Sequence, residues 1–423
     1  MFKPFNRLTE KTTIAINIET LQPSNHTTTS MKEKIQELST QIFNEVVGFR
    51  QHLHANPELS FHEFETSKFV KAKLASWGIP FTEMANTGVV GLIKGALPSD
   101  QVIALRGDMD ALPIVEANDK PYASKNPGVM HACGHDVHTS SLLGTAYILN
   151  QLKDEFAGTI KLIFQPAEEI LPGGASIMIK EGVLENPKPH AIVGQHVMPL
   201  IDAGKVGFRS GIYMASTDEI YVTVTGKGGH GAQPHQNIDP VLITSHIIVA
   251  LQQIVSRNAD PRLPSVLSFG KVIANGATNV IPNEVKLEGT FRTLNEDWRN
   301  EAHRLMVKMA EGIAESMGGS CHFDIHRGYP FLINEEELTD NARGFAEDYL
   351  GKENVVDLDI WMAAEDFAYY SQVTNACFYR LGTGNAAKDT CHSVHTPNFD
   401  IDEDALKTST GLMAYIALKQ LGN

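Results

Sequence analysis

From Met31 onward, Ile35, Leu38, Ile42, Phe43, Val46 and Phe49 recur at the spacing of one helix face. Asn56-Pro57 breaks this run, and a second helix is predicted over 63–77. Short apolar runs at 89–93, 102–105, 159–164 and 191–193 then alternate with helical stretches. Strands alternating with helices predict a central α/β sheet. The texture changes after about Ser210. Residues 219–225 alternate apolar and polar, a glycine-rich turn leads into a helix over 241–254, and strand-like stretches follow at 266–269 and 285–291. A helix over 297–316 and a strand over 321–325 complete a small α+β unit. The expected architecture is therefore α/β: a discontinuous catalytic domain with a central mixed sheet, formed by 31–210 and 328–423, with an α+β domain inserted at 211–327. Residues 1–30 are polar, threonine-rich and without period, and read as a disordered extension.

Composition narrows the class. At 423 residues the chain exceeds one typical core, which agrees with two domains. A net charge of −15 argues against nucleic acid, whose phosphates need a basic face. No apolar run reaches membrane-spanning length, and the first thirty residues lack the apolar core of a secretory signal. Cys133, Cys321, Cys377 and Cys391 make no dense disulfide pattern, so a reducing cytoplasm is the expected compartment.

Five segments carry candidate chemistry. Met130-His131-Ala132-Cys133-Gly134-His135-Asp136-Val137-His138 concentrates thiol and imidazole groups, the ligands that borderline-soft divalent metals prefer. A buried cysteine beside surface histidines is the plainer alternative. Leu162-Ile163-Phe164-Gln165-Pro166-Ala167-Glu168-Glu169 runs an apolar strand into two acids, at the strand end where α/β sheets bind ligands. Alone, the pair reads as readily as an acidic helix start. Arg106-Gly107-Asp108-Met109-Asp110 also follows a strand, and its acids suit either support of a metal-bound imidazole or a turn. Gly194-Gln195-His196-Val197 and His392-Ser393-Val394-His395 each add a histidine that alone would read as structural. Their coincidence at separate strand ends is the informative feature.

In this order the segments, preceded by Arg50-Gln51-His52-Leu53-His54-Ala55-Asn56-Pro57-Glu58-Leu59, resemble the M20 metallopeptidases over about 48–404. The resemblance is to the amidohydrolase branch that includes hippurate and auxin-conjugate hydrolases. It implies two divalent ions per subunit bridged by Cys133, one taking Glu169 and His395 and the other His135 and His196. It makes Glu168 the general base and Asp110 a supporting carboxylate. Asp108 stands where other branches place a histidine ligand and is not counted as one. Zn²⁺ is the expected metal given a thiolate ligand, with Mn²⁺, Co²⁺ and Ni²⁺ as alternatives.

The resemblance extends to the inserted domain, which it makes a lid and dimerisation element. His230, in Gly228-Gly229-His230-Gly231, matches a residue that reaches the neighbouring subunit's active site. Asn279 and Arg292 resemble binders of the substrate carboxylate, for which a planar guanidinium is suited. Without the resemblance they read as a turn asparagine and an edge-strand arginine. Glu365-Asp366 looks like a motif near the substrate pocket, while His52, His54, His131, His138, His235 and His392 read as structural. The expected activity is amide hydrolysis of small N-acyl amino acids. Dipeptidase or carboxypeptidase action is the rival within enzymes, and a catalytically inactive metal-binding protein the rival outside them.

Overall fold

The computed structural model describes residues 1–3 and 29–423. The extension expected at 1–30 falls mainly on residues 4–28, outside the described part. Ser30 caps the first helix. Its hydroxyl accepts from the Glu33 amide at 3.3 Å, and Glu33 accepts from the Ser30 amide at 2.8 Å, a reciprocal cap.

The helices are α1 (Met31–Ala55), α2 (Phe64–Ser76), α3 (His135–Gln151), α4 (Gly174–Lys180), α5 (Pro240–Gln253), α6 (Glu296–Ser316), α7 (Glu336–Leu350), α8 (Ala368–Ser371) and α9 (Ala405–Gln420). Strands β1 (Phe81–Met84), β2 (Gly88–Lys94), β3 (Leu97–Asp108), β4 (Ala157–Gln165), β5 (Ala191–Asp202) and β6 (Val206–Phe208) come first. Then follow β7 (Gly211–Met214), β8 (Asp218–Thr225), β9 (Gly229–His230), β10 (Ser265–Ile273), β11 (Val280–Ile281), β12 (Glu284–Thr293), β13 (Ser320–Arg327) and β14 (Leu332–Asn334). The last strands are β15 (Val355–Asp357) and β16 (Asn375–Gly384).

A mixed sheet runs in the order β1-β2-β4-β3-β5-β16-β6-β15, with β4, β3, β5 and β16 parallel. Parallel strands need cover on both faces, and the last seven residues of β3 are all buried. Alternation along β3 sends Ile103 and Leu105 into a core with α1, α3 and α9, and Ala104 into a second core with α4 and α8. The shared carboxyl ends of these strands form one rim, and the site lies there.

A second sheet, β10-β12-β8-β13, is antiparallel. Burial along β8 alternates, because only one face is covered. That face packs Ile220, Val222 and Val224 against Ile243 and Ile247 of α5 and Ala302, Met306 and Ala310 of α6. The four-residue spacing of the α6 stripe is one helix face. The backbone crosses between the sheets near Thr217 and Gly328, and Arg299 bonds both carbonyls at 2.9 and 3.1 Å. Its guanidinium also pairs with Asp218 at 2.6 Å, so one buried cation fastens both crossings. Among the described residues, no helix is long and apolar enough to cross a membrane.

Candidate metal centre

Three local backbone devices bring the donor groups to the rim. Gly134 takes φ 84°, and a Cβ there would fall 2.6 Å from Val197, so only glycine lets Cys133 and His135 approach β5 this closely. Ala167 takes φ 52°, held by the hydrogen bond its N–H donates to Glu63 Oε1 at 2.8 Å, and this turn aims Glu168 and Glu169 after β4. His395 takes φ 61°, and its amide donates to the Ala132 carbonyl at 2.7 Å, docking the C-terminal segment on the cysteine loop. Positive φ at residues other than glycine is uncommon and is often found where a side chain must be aimed.

The donors form two groups that share one sulfur. Cys133, His135 and His196 make one, and Cys133, Glu169 and His395 the other. Cys133 Sγ lies 3.4 Å from His196 Nε2 and 3.3 Å from His395 Nε2. Glu169 Oε1 lies 3.3 Å from His395 Nε2 and 4.0 Å from His135 Nε2. Two atoms test whether these residues suit cations. His135 Nε2 and Glu169 Oε1 are buried without a hydrogen-bond partner, an arrangement that costs free energy unless a further group meets them. Burial and then Glu169 push the Cys133 thiol above its ordinary pKa, so a thiolate there requires a nearby cation. Contacts with Cys133 and Glu169 push His395 up to about 10. A thiolate, a carboxylate and imidazoles within reach of one another are a fitting donor set for divalent ions.

Polar partners behind the donors set their orientation. Asp110 accepts from His135 Nδ1 at 3.0 Å, which turns the Nε2 lone pair toward the cluster. Its other oxygen accepts from Ser60 at 2.6 Å and from the Glu169 amide at 3.0 Å. His196 Nδ1 donates to the Val197 carbonyl at 2.8 Å, leaving Nε2 to face Cys133 Sγ. Asp108 is engaged elsewhere, accepting from His138 at 2.6 Å and from Arg106 at 2.5 Å. Burial opposes its charge, but Arg106, His135 and His138 hold it well below the usual carboxylate range. His138 passes the contact on, accepting from the Val197 amide at 3.0 Å.

Glu168 is buried at the inner end of the centre. Its Oε1 accepts from the Asp366 amide at 3.3 Å, and its carbonyl accepts from Tyr329 Oη at 2.5 Å. Burial and then Glu365, Glu169 and Asp366 push its carboxyl well above the ordinary range, which favours a proton there. Glu365 and Asp366 pair with Arg106 at 3.0 and 2.8 Å, but burial still pushes Asp366 up to about 8.

A cavity of about 490 Å³ opens on Cys133, Glu168, Glu169, His196 and His395, and Arg292 of β12 reaches the same space. Arg292 Nη1 is buried without a partner. His230 and Asn279 are placed otherwise. Both are exposed where β9 pairs with β11, joined by the Gly231 amide and the Asn279 carbonyl at 2.9 Å, and neither lines the cavity. The carboxylate-binding pair expected from the sequence is thus divided within one chain: Arg292 lines the cavity of its own candidate metal centre, and Asn279 accompanies His230. His230 Nδ1 accepts from the Ala232 amide at 3.0 Å, fixing the ring and leaving Nε2 outward.

Arg106, Gln165, Tyr329 and Arg380 also support or line the centre but are not among the residues the sequence singles out. Arg106 and Gln165 stand inside the motifs, where acidic neighbours are the available signal. Arg380 shows only as a cation between Tyr379 and Leu381 in an apolar run.

Strand ends of a mixed α/β sheet that carry two donor groups sharing one cysteine sulfur define the class, an α/β protein with a candidate two-ion centre. The chain belongs to peptidase family M20/M25/M40, whose sequence profile matches residues 104–419. It is 44% identical over 307 residues to an N-acyl-L-amino acid amidohydrolase of Geobacillus stearothermophilus, covering 72% of this chain and 82% of that one. It is 37% identical over 391 residues to thermostable carboxypeptidase 2 of Saccharolobus solfataricus, covering 92% and 98%. A Bacillus subtilis crystal structure, described as a dinuclear metal binding peptidase of family M20, superposes with a TM-score of 0.78 at 35% identity, covering 90% of this chain and 99% of that one.

Proposed function

We propose that this chain hydrolyses the amide bond of small N-acyl amino acids, releasing a carboxylic acid and an amino acid. The observation that carries the reading is one cavity lined by Cys133, Glu169, His196 and His395 of the two donor groups, by Glu168, and by Arg292, whose Nη1 has no hydrogen-bond partner. Cys133, His135 and His196 would hold one divalent ion, and Cys133, Glu169 and His395 the other. Lewis acidity toward the scissile carbonyl and a more acidic attacking water are what such a pair supplies when bound. Glu168 takes the proton of the attacking water and returns it to the departing amine nitrogen. Tyr329 and the Asp366 amide hold Glu168 in place for both transfers. Arg292 anchors the free carboxylate of the amino acid half by paired hydrogen bonds. The thiolate favours Zn²⁺, with Mn²⁺, Co²⁺ or Ni²⁺ as alternatives.

The segment 211–327 serves as lid and dimerisation domain in this reading. His230 and Asn279 act together in the partner subunit's site of a homodimer, which agrees with their exposure and with their distance in sequence from every metal motif. All four cysteines are free, which suits a reducing cytoplasm. Carboxypeptidase action on short peptides is the second reading, favoured by the likeness to the carboxypeptidase. Metal-reconstituted protein given N-acetyl amino acids, N-benzoyl amino acids and dipeptides separates the two. Preferential release from the N-acyl compounds is expected. Faster cleavage of dipeptides replaces the first reading with the second, and no cleavage with any of the four metals overturns both.

A further inference from the structure

Among the described residues, four arginines are wholly buried: Arg50, Arg106, Arg299 and Arg380. Three of them meet carboxylates. Arg50 pairs with Asp136 and Asp400, Arg106 with Asp108, Glu365 and Asp366, and Arg299 with Asp218 and Glu296. Arg380 has no such partner among the described residues. Its Nε donates to Tyr213 Oη at 2.7 Å and its Nη2 approaches Met214 Sδ at 3.0 Å, while Nη1 has no hydrogen bond. The rings of Trp361, Phe378 and Tyr213 lie 4.6, 5.3 and 5.5 Å from the guanidinium carbon. Aromatic faces soften the burial of a cation but leave its unpaired N–H unsatisfied. A buried charge without a counter-charge is a structural burden that a bound anion would relieve.

Arg380 forms part of the wall of the metal cavity. It stands on β16 directly opposite His196 on β5, so it is next to the donor cluster. Arg292, the other guanidinium in that wall, comes from β12 on the opposite sheet. If Arg292 takes the carboxylate of the amino acid half, one cation remains on the catalytic-sheet side, with Met214 and Trp361 beside it. Arg380 then supplies a cationic end beside the apolar Met214 and Trp361 side chains, in a wall that also holds Glu365, and this pairing suits a short methylene chain ending in an acid.

We propose that Arg380 forms an acyl subsite for groups ending in a carboxylate, so that the preferred substrates are N-(ω-carboxyacyl) amino acids with short linkers. This rests on the amidohydrolase reading above. A charge-assisted hydrogen bond in a dry site favours the charged acyl group over its neutral isostere by about 10- to 100-fold.

The test compares N-succinyl with N-butanoyl, and N-glutaryl with N-pentanoyl, derivatives of whichever amino acid the hydrolysis panel releases fastest. For the wild type, kcat/KM is expected to favour each charged member by at least about tenfold. Arg380→Met and Arg380→Gln should bring the ratio near one, and Arg380→Lys should restore part of it. Calorimetry of metal-loaded protein with succinate, glutarate, butyrate and pentanoate reads the same preference without turnover. Melting curves identify any variant that fails to fold, and the wild-type ratios need no variant. Efficient cleavage with ratios near one in the wild type, or ratios unchanged by Arg380→Met, overturns the subsite and leaves the amidohydrolase reading standing. Arg380-dependent binding of succinate without cleavage of any amide keeps the subsite and removes the activity. Absence of any binding difference between the diacids and the monoacids, with no cleavage, overturns both.

Discussion

Asp110→Asn is the sharpest probe of how the centre is held, because one carboxylate supports both ligand groups. Its two oxygens receive three donors: His135 Nδ1 at 3.0 Å, Ser60 Oγ at 2.6 Å and the Glu169 amide at 3.0 Å. Asparagine keeps the shape but has one acceptor oxygen and a donating NH₂. If its oxygen stays on His135, its nitrogen faces the Glu169 amide; if it flips, its nitrogen faces His135. Either way one donor loses its acceptor, at a cost of about 1–3 kcal/mol. At about 1.4 kcal/mol per decade, this corresponds to roughly 10- to 100-fold weaker metal binding, the range typical of groups supporting a metal ligand. Chelator competition measures both ions, and a melting curve on metal-free protein checks the fold. Ser60→Ala serves as comparison, since it removes one bond from Asp110 and leaves its charge. It should cost less than about tenfold. Saturating metal should restore kcat of Asp110→Asn to within about tenfold of wild type, because the residue acts through the ligands. Unchanged affinity for both ions in a folded Asn variant would refute the reasoning.

Cys133→Ser should lose metal and activity together, since it removes the sulfur common to both donor groups, while Cys391→Ser, at an exposed position, should change neither; metal analysis and turnover of the two variants decide this. Glu168→Gln should retain both ions and substrate binding and lose at least about 100-fold in kcat, whereas Glu169→Gln should lose metal first. Equal metal loss in both variants would remove the division of roles. Arg292→Ala should raise KM for a free-acid substrate and narrow its advantage over the carboxamide, by about 10- to 100-fold if the pair is dry; a wild type indifferent to acid and carboxamide contradicts the anchor. Mixing inactive His230→Ala and Glu168→Gln homodimers should restore roughly a quarter of wild-type activity after random exchange, because half the dimers are mixed and each mixed dimer has one intact site. Confirmed exchange with no recovery would assign His230 to its own subunit or to no catalytic role.

What was legible in the sequence follows from which patterns local physics leaves behind. The elements of the small sheet show clearly, because β8 and α6 each have one buried and one solvated face, and alternation or a four-residue stripe survives in the residue order. α3 shows no such stripe. It is buried nearly all round, with Thr139, Ser140, Ser141 and Thr145 satisfied inside the core rather than on a wet face. β16 is hidden for a related reason: Arg380 interrupts an apolar run and reads as solvent-facing, although the strand is buried on both sides.

The same distinction governs the centre. Ligand-type residues announce themselves by chemistry and can be gathered before any fold is known. Their supports cannot, because Arg106 meets Glu365 and Asp366 about 260 positions away, and only the sheet brings them together. Asn279 and Arg292 show the converse. They are close in sequence and share an expected role, yet β12 carries Arg292 into the cavity while the turn before β11 leaves Asn279 beside His230. One chain therefore presents the guanidinium to the cavity of its own candidate metal centre and the amide and imidazole to the outside. If both halves of this equipment serve one substrate, the carboxylate must be grasped from two subunits at once. Asn279→Ala should then be complemented by Glu168→Gln in mixed dimers as His230→Ala is, whereas Arg292→Ala should not, since Arg292 and Glu168 serve the same subunit's site and each site of the mixed dimer lacks one of them.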